Sequence, residues 1–554
     1  MRIKMNYNKL ADMLFPNVTN TPEFYETKFA KRKLPNNAQV TRMAPSPTGF
    51  IHLGNLYSAL ADERIAHKNG GVFYLRIEDT DEKRKVDGAV ELIIDTLRYF
   101  DIEFDEGAGF EENEETNAYG PYFQRQRVDI YHAYAKSLVA KGLAYPCFCT
   151  EEELDRVRKE QEEQKELTGY YGKYATCRNL TIEEIEANLL AGKSYVLRLR
   201  SQGNPEKEIT FVDSIKGEIK LPENIHDIVL LKRDGIPTYH FAHAIDDHLM
   251  RTTVVVRGGE WLASAPIHYE LFHLLGFKMP KYAHTAHLMK IDEETGGKRK
   301  LSKRKDPELS LDYYKKDGYH PYCMKVYLMT LLNSNFEEWH EKFADKDINE
   351  FPFSIDKMNQ SGALFDKDKL HNICKNELSK LSENELYDFL YQWASDYEPE
   401  NKEIWFADKE KILSILRLYM GVGMKRRRKD LMYAKQIFEL FSYFFDGSKA
   451  DEKDSFKFDT DEVHAILTKY LESYNHADDN STWFNKLKEI ADSLGYASDM
   501  KAYKAAPETF KGNVSDVAEV IRIAVTGRAN TPDLWTIVHI MGEAQMRERI
   551  EAVL

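Results

Sequence analysis

The sequence predicts a chain of the α/β class: a parallel sheet flanked by helices, interrupted by an insertion and followed by an all-helical part. Three observations predict it. A strand–loop–helix–strand run occupies Gln39 to Ile77, the same texture returns at Asp227, and apolar residues repeat at helical spacing from about Lys380 onward.

In the first run, Gln39–Met43 is a short strand candidate, broken by Ala44-Pro-Ser-Pro-Thr-Gly49, whose two prolines and glycine cannot continue a ladder. A helix is expected from about His52 to Lys68, because Leu53, Leu56, Tyr57 and Leu60 fall at i, i+3, i+4 and i+7, and Asn69-Gly70-Gly71 can end it. Val72–Ile77 is then a nearly continuous apolar run, as a parallel strand buried on both faces requires. Together these make a right-handed βαβ unit. In the second run, Asp227–Leu231 reads as a strand, Asp234–Pro237 as a turn and Thr253–Val256 as another strand. The stretch between, about 120–226, is rich in Tyr, Glu and Lys, carries three of the five cysteines and reads as an insertion. In the third, Leu386, Phe389, Leu390 and Trp393, and again Ile412, Ile415, Leu416 and Tyr419, mark the buried faces of helices. Residues 1–37 read as a polar extension with one apolar patch.

The totals limit the function. A chain of 554 residues holds about three to four domains. No apolar run is long enough for a membrane span, and the N-terminus lacks the layout of a signal peptide. Five cysteines in a chain this long make no disulfide framework, so a cytoplasmic location is expected. A net charge of −14 disfavours a nucleic-acid partner at first sight, but net charge reports solubility and steering, not local binding. The basic residues are bunched at Lys298–Lys305 and Lys425–Lys429.

Chemistry-bearing residues stand where strands end. Arg42 lies near the end of the first strand, Glu78 directly follows the second, and Arg257 directly follows Thr253–Val256. Ligands of open parallel sheets bind outside the carboxyl ends of the strands, so two arginines and a carboxylate are expected at one crevice. His52-Leu-Gly-Asn55 opens a helix, whose free N–H groups and dipole favour phosphate. Gly54 is expected to let a nucleotide approach the backbone. Lys300-Leu-Ser-Lys303-Arg304, after Gly296-Gly297, is a cationic loop suited to charge developing on a triphosphate.

Arg42-Met-Ala-Pro-Ser-Pro-Thr-Gly-Phe-Ile-His-Leu-Gly-Asn55 resembles the first signature of the class I aminoacyl-tRNA synthetases in its glutamyl form, and Lys300–Arg304 resembles the second. Arg76-Ile-Glu-Asp-Thr-Asp81, Pro237–Ala242, Asp246-Asp247-His248, Arg257-Gly-Gly-Glu-Trp261 and Val520–Gly527 are similar to further blocks of that family, so the resemblance runs from about residue 39 to the end. It implies activation of L-glutamate by ATP with Mg²⁺, then transfer to the terminal ribose of tRNA(Glu), by a monomer. A glutaminyl enzyme, or one that also charges tRNA(Gln), remains the alternative. The resemblance places Arg42, Ser46, Glu78, Tyr239 and Arg257 in the glutamate pocket. It places His52, Gly54, Asn55, Glu260, Trp261, Lys300, Ser302 and Lys303 at ATP, with His52 and Lys303 as the groups acting on the phosphates.

The implied architecture is a Rossmann-type catalytic domain at 38–119 and 227–285, with an acceptor-binding insertion at 120–226. A stem-contact domain with the lysine loop follows at 286–375, and a helical anticodon-binding domain at 376–554. The cluster Lys425–Lys429 is expected on the RNA backbone. His243 stands where some members carry Asn, and Val254 where many carry His. Cys147, Cys149 and Cys177 resemble a zinc knuckle of some members, but Asn179 occupies the place of its last ligand, so no metal is assigned.

Overall fold

The strands Val40–Met43 (β1) and Val72–Leu75 (β2) pair in parallel, Val40 opposite Val72 through Met43 opposite Leu75, and Glu106–Gly107 (β3) continues the sheet beyond β2. The structure, a computed structural model, describes residues 6–47, 51–81, 86–110, 118–302, 304–445 and 454–554. The crossover helix is Leu53–His67, here α3 after Tyr7–Leu14 (α1) and Pro22–Lys28 (α2). Leu53, Leu56, Tyr57 and Leu60 are buried as their spacing predicts, but Asp62 and Glu63 on the other faces are buried too. The helix is enclosed all round.

Four further helices precede the second half of the site: Ala89–Tyr99 (α4), Val128–Ala140 (α5), Glu151–Gln164 (α6) and Ile182–Leu190 (α7). Among them run Ala144–Cys147 (β4) and Val196–Leu199 (β5), which pair antiparallel, and β5 pairs antiparallel on its other side with Val229–Leu231 (β8). Glu208–Asp213 (β6) and Gly217–Pro222 (β7) form a hairpin. Tyr239–Leu249 (α8), Val254–Gly258 (β9), Ala265–Leu275 (α9) and Lys281–Thr285 (β10) follow, β9 and β10 pairing in parallel. The Thr253 N–H donates to the Val40 carbonyl at 2.9 Å, which sets β9 beside β1. Strand pairing also crosses the limits of the 120–226 stretch, since Asp213 of β6 pairs with Tyr282 of β10 and β8 pairs with β5. Leu288–Ile291 (β11), Lys298–Lys300 (β12) and Ala363–Leu364 (β13) make a small separate sheet carrying the start of the cationic loop.

The N-terminal patch is part of the core. Leu10, Leu14, Phe15, Tyr25 and Phe29 pack with α5, α8 and α9 in one buried cluster. Arg32 forks onto Glu106 at 2.5 and 3.1 Å, and Glu26 meets His248 at 2.5 Å and Arg251 at 3.0 Å. The extension thus ties down the C-terminal end of α8.

The chain divides into two compact units, 1–313 with 324–366, and 314–323 with 367–554. Among the described residues the second contains helices and no paired strand of its own. Leu386, Leu390 and Trp393, and Ile412, Ile415, Leu416 and Tyr419, are buried within it as their spacing predicts.

Candidate active site

The carboxyl ends of β1, β2 and β9 open onto one cavity of about 490 Å³ in the first unit, closed on other sides by the starts of α3 and α8. Arg42, Ser46, Glu78, Tyr239 and Arg257 all line it, and so do His52, Gly54, Asn55, Glu260, Trp261 and Lys300. These residues, from six separate chain segments, therefore meet at the strand ends. Ser302 does not line the cavity; its backbone N–H donates to Asp306 at 2.8 Å and its hydroxyl lies 3.4 Å from the same oxygen. Lys303 lies outside the described residues, as do Thr48 and Gly49 of the first signature.

At the start of α3, His52 is the N-cap residue, and its backbone N–H donates to the Asn55 side-chain oxygen at 3.0 Å. This bond explains the three-residue spacing locally: it caps the start of the helix, whose first-turn residues His52, Gly54 and Asn55 line the cavity. Gly54 lines the cavity beside the His52 ring. A Cβ there would stand 3.1 Å from the His52 ring, so glycine lets that ring fold over the helix start.

The electrostatics rest on a buried network that sequence reasoning left without roles. Arg76, wholly buried, donates to Asp247 at 2.6 Å and to Glu78 at 3.2 Å. Arg42 approaches both oxygens of the same Asp247 at 3.4 Å and donates to the Val256 carbonyl at 3.3 Å. Neighbouring Asp246 accepts from Arg127 at 2.7 Å, Tyr131 at 2.7 Å and Gln124 at 3.0 Å. Burial alone would raise the Asp247 carboxyl, but the charges of Arg76 and Arg42 hold it well below its ordinary range. Glu78 goes the other way. Burial pushes its carboxyl up to about 7, against the pull of Arg76 and Arg42. The available signal was a charged residue, Arg76, inside an otherwise apolar run, since such a group needs a buried partner. His243, buried behind the cavity, has Nδ1 3.0 Å from Asp247 and Nε2 2.9 Å from the Tyr282 hydroxyl; it is not among the lining residues.

Arg257 is set differently. Its Nε–H donates to His284 Nε2 at 2.9 Å, its Nη1 lies 3.1 Å from His268 Nδ1, and its guanidinium stands 4.6 Å from the centre of the Tyr282 ring. Tyr239 and Trp261 close the wall beside it, ring centres 4.5 Å apart.

A second constellation lies at β4. The Sγ atoms of Cys147, Cys149 and Cys177 all fall within 4.8 Å of one another. The Tyr170 hydroxyl is 3.4 Å from both Cys147 and Cys149 Sγ, and accepts from the Cys177 N–H at 3.0 Å. The set therefore offers three converging sulfurs, with the Tyr170 hydroxyl beside two of them. Tetrahedral zinc takes four ligands, and the three cysteine sulfurs are of a donor type it accepts. Asn179 stands at the place that the family resemblance gives the last ligand; in the fold the tyrosine beside the sulfurs is Tyr170.

In the second unit, Lys425, Arg426 and Arg427 are exposed in a loop. Arg428 and Lys429 line a cavity of about 340 Å³ together with Lys375, Tyr419, Gln436 and Arg528.

Residues 39–372 match the family described as tRNA synthetases class I (E and Q), catalytic domain, and residues 385–554 match the family described as anticodon binding domain. The chain is 55% identical to the glutamate–tRNA ligase of Acetivibrio thermocellus over 552 residues, covering 99% of this chain and 100% of that protein. It is 48% identical to the glutamate–tRNA ligase of Clostridium perfringens, covering 99% and 100%. Among solved structures, a glutamate tRNA ligase from Elizabethkingia meningosepticum in complex with its amino acid superposes with a TM-score of 0.73 at 27% identity, covering 94% of this chain and 99% of that one.

Proposed function

The chain belongs to the class I tRNA synthetases for glutamate and glutamine, and from that premise we propose how its cavity works as the site of a glutamate–tRNA ligase. The observation that carries the amino-acid choice is the joining of Arg42, Glu78 and Arg257 in one cavity. Glu78 takes the substrate ammonium. Arg42 and Arg257 take its side-chain carboxylate, with Tyr239 and Ser46 completing the pocket. The substrate α-carboxylate attacks the α-phosphate of ATP, which Mg²⁺ accompanies, giving glutamyl-adenylate and pyrophosphate; the terminal ribose of tRNA(Glu) then takes the glutamyl group. No side-chain nucleophile is needed, because positioning and charge stabilisation do the work. His52, Gly54 and Asn55 hold phosphate at the start of α3, while Glu260, Trp261 and Lys300 border the nucleotide. The enzyme acts as a monomer in the cytoplasm.

Charging of purified tRNA(Glu) and tRNA(Gln) with each amino acid tests the reading. Glutamate on tRNA(Glu) is expected. Glutamine as the preferred amino acid would overturn it, and glutamate on both tRNAs would make the enzyme non-discriminating. Lys303 is assigned to the leaving pyrophosphate. Lys303→Ala is expected to lower the rate of adenylate formation roughly 100- to 1,000-fold, the usual effect of losing one such donor; a wild-type rate would remove the assignment.

The basic loop Lys425–Lys429 is assigned to the RNA backbone in the anticodon region, within the matched anticodon-binding family.

At the second constellation, Cys147, Cys149, Cys177 and Tyr170 would hold zinc, which would cross-link β4 to the segment around residue 177. Metal analysis of the purified protein is expected to find one equivalent, lowered in Tyr170→Phe. Metal-free protein from a purification without chelator would speak against it.

A further inference from the structure

Most buried arginines of the first unit already face a carboxylate: Arg42 and Arg76 meet Asp247, Arg64 meets Glu63 and Arg127 meets Asp246. Arg257 does not. Among the described residues no carboxylate stands within ion-pair distance of it, although it is only 6% exposed. Its contacts are two imidazoles, the Tyr282 ring and, at 3.5 Å, the Trp261 carbonyl. All of these are neutral acceptors or π faces.

The hydrogen bonds define the state of each imidazole. Arginine can only donate. His284 Nε2 therefore accepts from Arg257, and its Nδ1–H donates to Asp213 at 2.6 Å. Asp213 also accepts backbone N–H groups from His284, Ile215 and Lys216 at 3.0, 2.9 and 2.8 Å, which keeps that carboxylate turned away from the arginine. His268 Nδ1 accepts from Arg257, so its Nε2–H donates to His240 Nδ1 at 2.9 Å. Burial, followed by neighbouring charge, holds His268 well below its ordinary range, while burial lowers His284 against the pull of Asp213. Both rings are neutral near pH 7. The first carboxylate is thus one imidazole removed from Arg257.

We propose that His268 and His284 are specificity-positioning residues: they orient the Arg257 guanidinium through neutral acceptors, so its charge stays uncompensated until the substrate's side-chain carboxylate arrives. The inference rests on the reading of Arg257 as the receptor for that carboxylate. A carboxylate partner would orient the arginine equally well but would compete with glutamate. A neutral platform supplies the geometry without the competition. Neutral glutamine brings no charge to the pocket, so the uncompensated cation favours the acid.

The test replaces one neutral acceptor with a charged one. His268→Asp and His268→Asn both place an oxygen near the position of Nδ1, and only the first carries charge. Glutamate-dependent ATP–pyrophosphate exchange is measured with the full chain and tRNA present. His268→Asp is expected to raise the KM for glutamate roughly 100-fold and to lower the preference over glutamine. Its kcat and KM for ATP should hold, because the contact is made equally in ground and transition states. His268→Asn is expected to raise that KM less than about fivefold, since it keeps a neutral hydrogen bond. Equal glutamate KM values for the two variants, or a loss confined to kcat, would overturn the proposal. Should His268→Asp not fold, Asp213→Asn decides. Without its carboxylate partner the His284 ring can change tautomer and turn an N–H toward Arg257. The KM for glutamate should then rise about tenfold at constant kcat, and an unchanged KM would overturn the proposal. If Arg257→Leu itself kept wild-type selectivity for glutamate, the underlying pocket reading would fall; if only the His268 pair behaved alike, this inference alone would.

Discussion

Replacing Arg257 by Leu is expected to remove most of the preference for glutamate over glutamine. Losing one partner of a desolvated charge pair costs about 2–4 kcal/mol, which corresponds to roughly 30- to 1,000-fold in kcat/KM for glutamate. Arg42 still faces the same pocket, but its charge is shared with Asp247, so it cannot replace the lost cation. Glutamine, which gains little from Arg257, should lose much less. The variant should also be less stable, because the acceptor nitrogens of His268 and His284 lose their donor, at about 1–3 kcal/mol for each buried group left unsatisfied. Selectivity comes from paired exchange assays with the two amino acids, and stability from urea unfolding. Unchanged discrimination would remove Arg257 from the specificity argument.

Asp247→Asn is expected to have the largest effect on stability. It is wholly buried, it receives Arg76 at 2.6 Å, and it is the carboxylate nearest Arg42. The substitution leaves two buried guanidinium groups with Glu78 and the more distant Asp246, 4.0 Å from Arg76, as the remaining negative charges nearby. Breaking one buried pair of this kind costs about 3–5 kcal/mol, readable as a lower urea midpoint. The substitution also has a signature in pH. In the wild type, the Glu78 carboxyl near 7 must be ionised to receive the substrate ammonium. The KM for glutamate should therefore rise as pH falls below about 7. Asp247 helps to keep Glu78 protonated, and the two arginines oppose it. Removing the Asp247 charge lowers the Glu78 value, so the acid rise in KM should move to lower pH. A profile that stays in place would show that Glu78 does not control this binding step.

The candidate site was legible to the extent that it lies at strand ends. Glu78 and Arg257 directly follow apolar runs and Arg42 lies near the end of a strand, and parallel strands bring their carboxyl ends together. The helix-opening His52–Asn55 was legible for the same reason, because a cap is a local structure. Its Gly54 meets a second demand that only the fold shows, the His52 ring that a Cβ would approach to 3.1 Å. Ser302, which the family resemblance placed at ATP, is bonded through its backbone N–H to Asp306 and is not among the cavity-lining residues. The extension 1–37 read as polar because its few apolar residues are spread over two short helices; packing against α5 is what gathers them.

The sequence by itself determined the class, the strands and helix that carry the site, the family and the set of charged residues that meet in the cavity. These follow from periodicity, from turn chemistry and from motifs carried on single segments. Tertiary structure alone decided which charges are cancelled. Arg42, Arg76 and Arg257 are the same residue type on neighbouring strands, yet Asp247 of α8 neutralises the first two while imidazoles from α9 and β10 hold the third. The difference depends on which helix packs over which strand end, at distances of 2.6–3.4 Å. It also decides which arginine keeps its charge for glutamate, because in a desolvated pocket an arginine's free charge depends on its nearest partner.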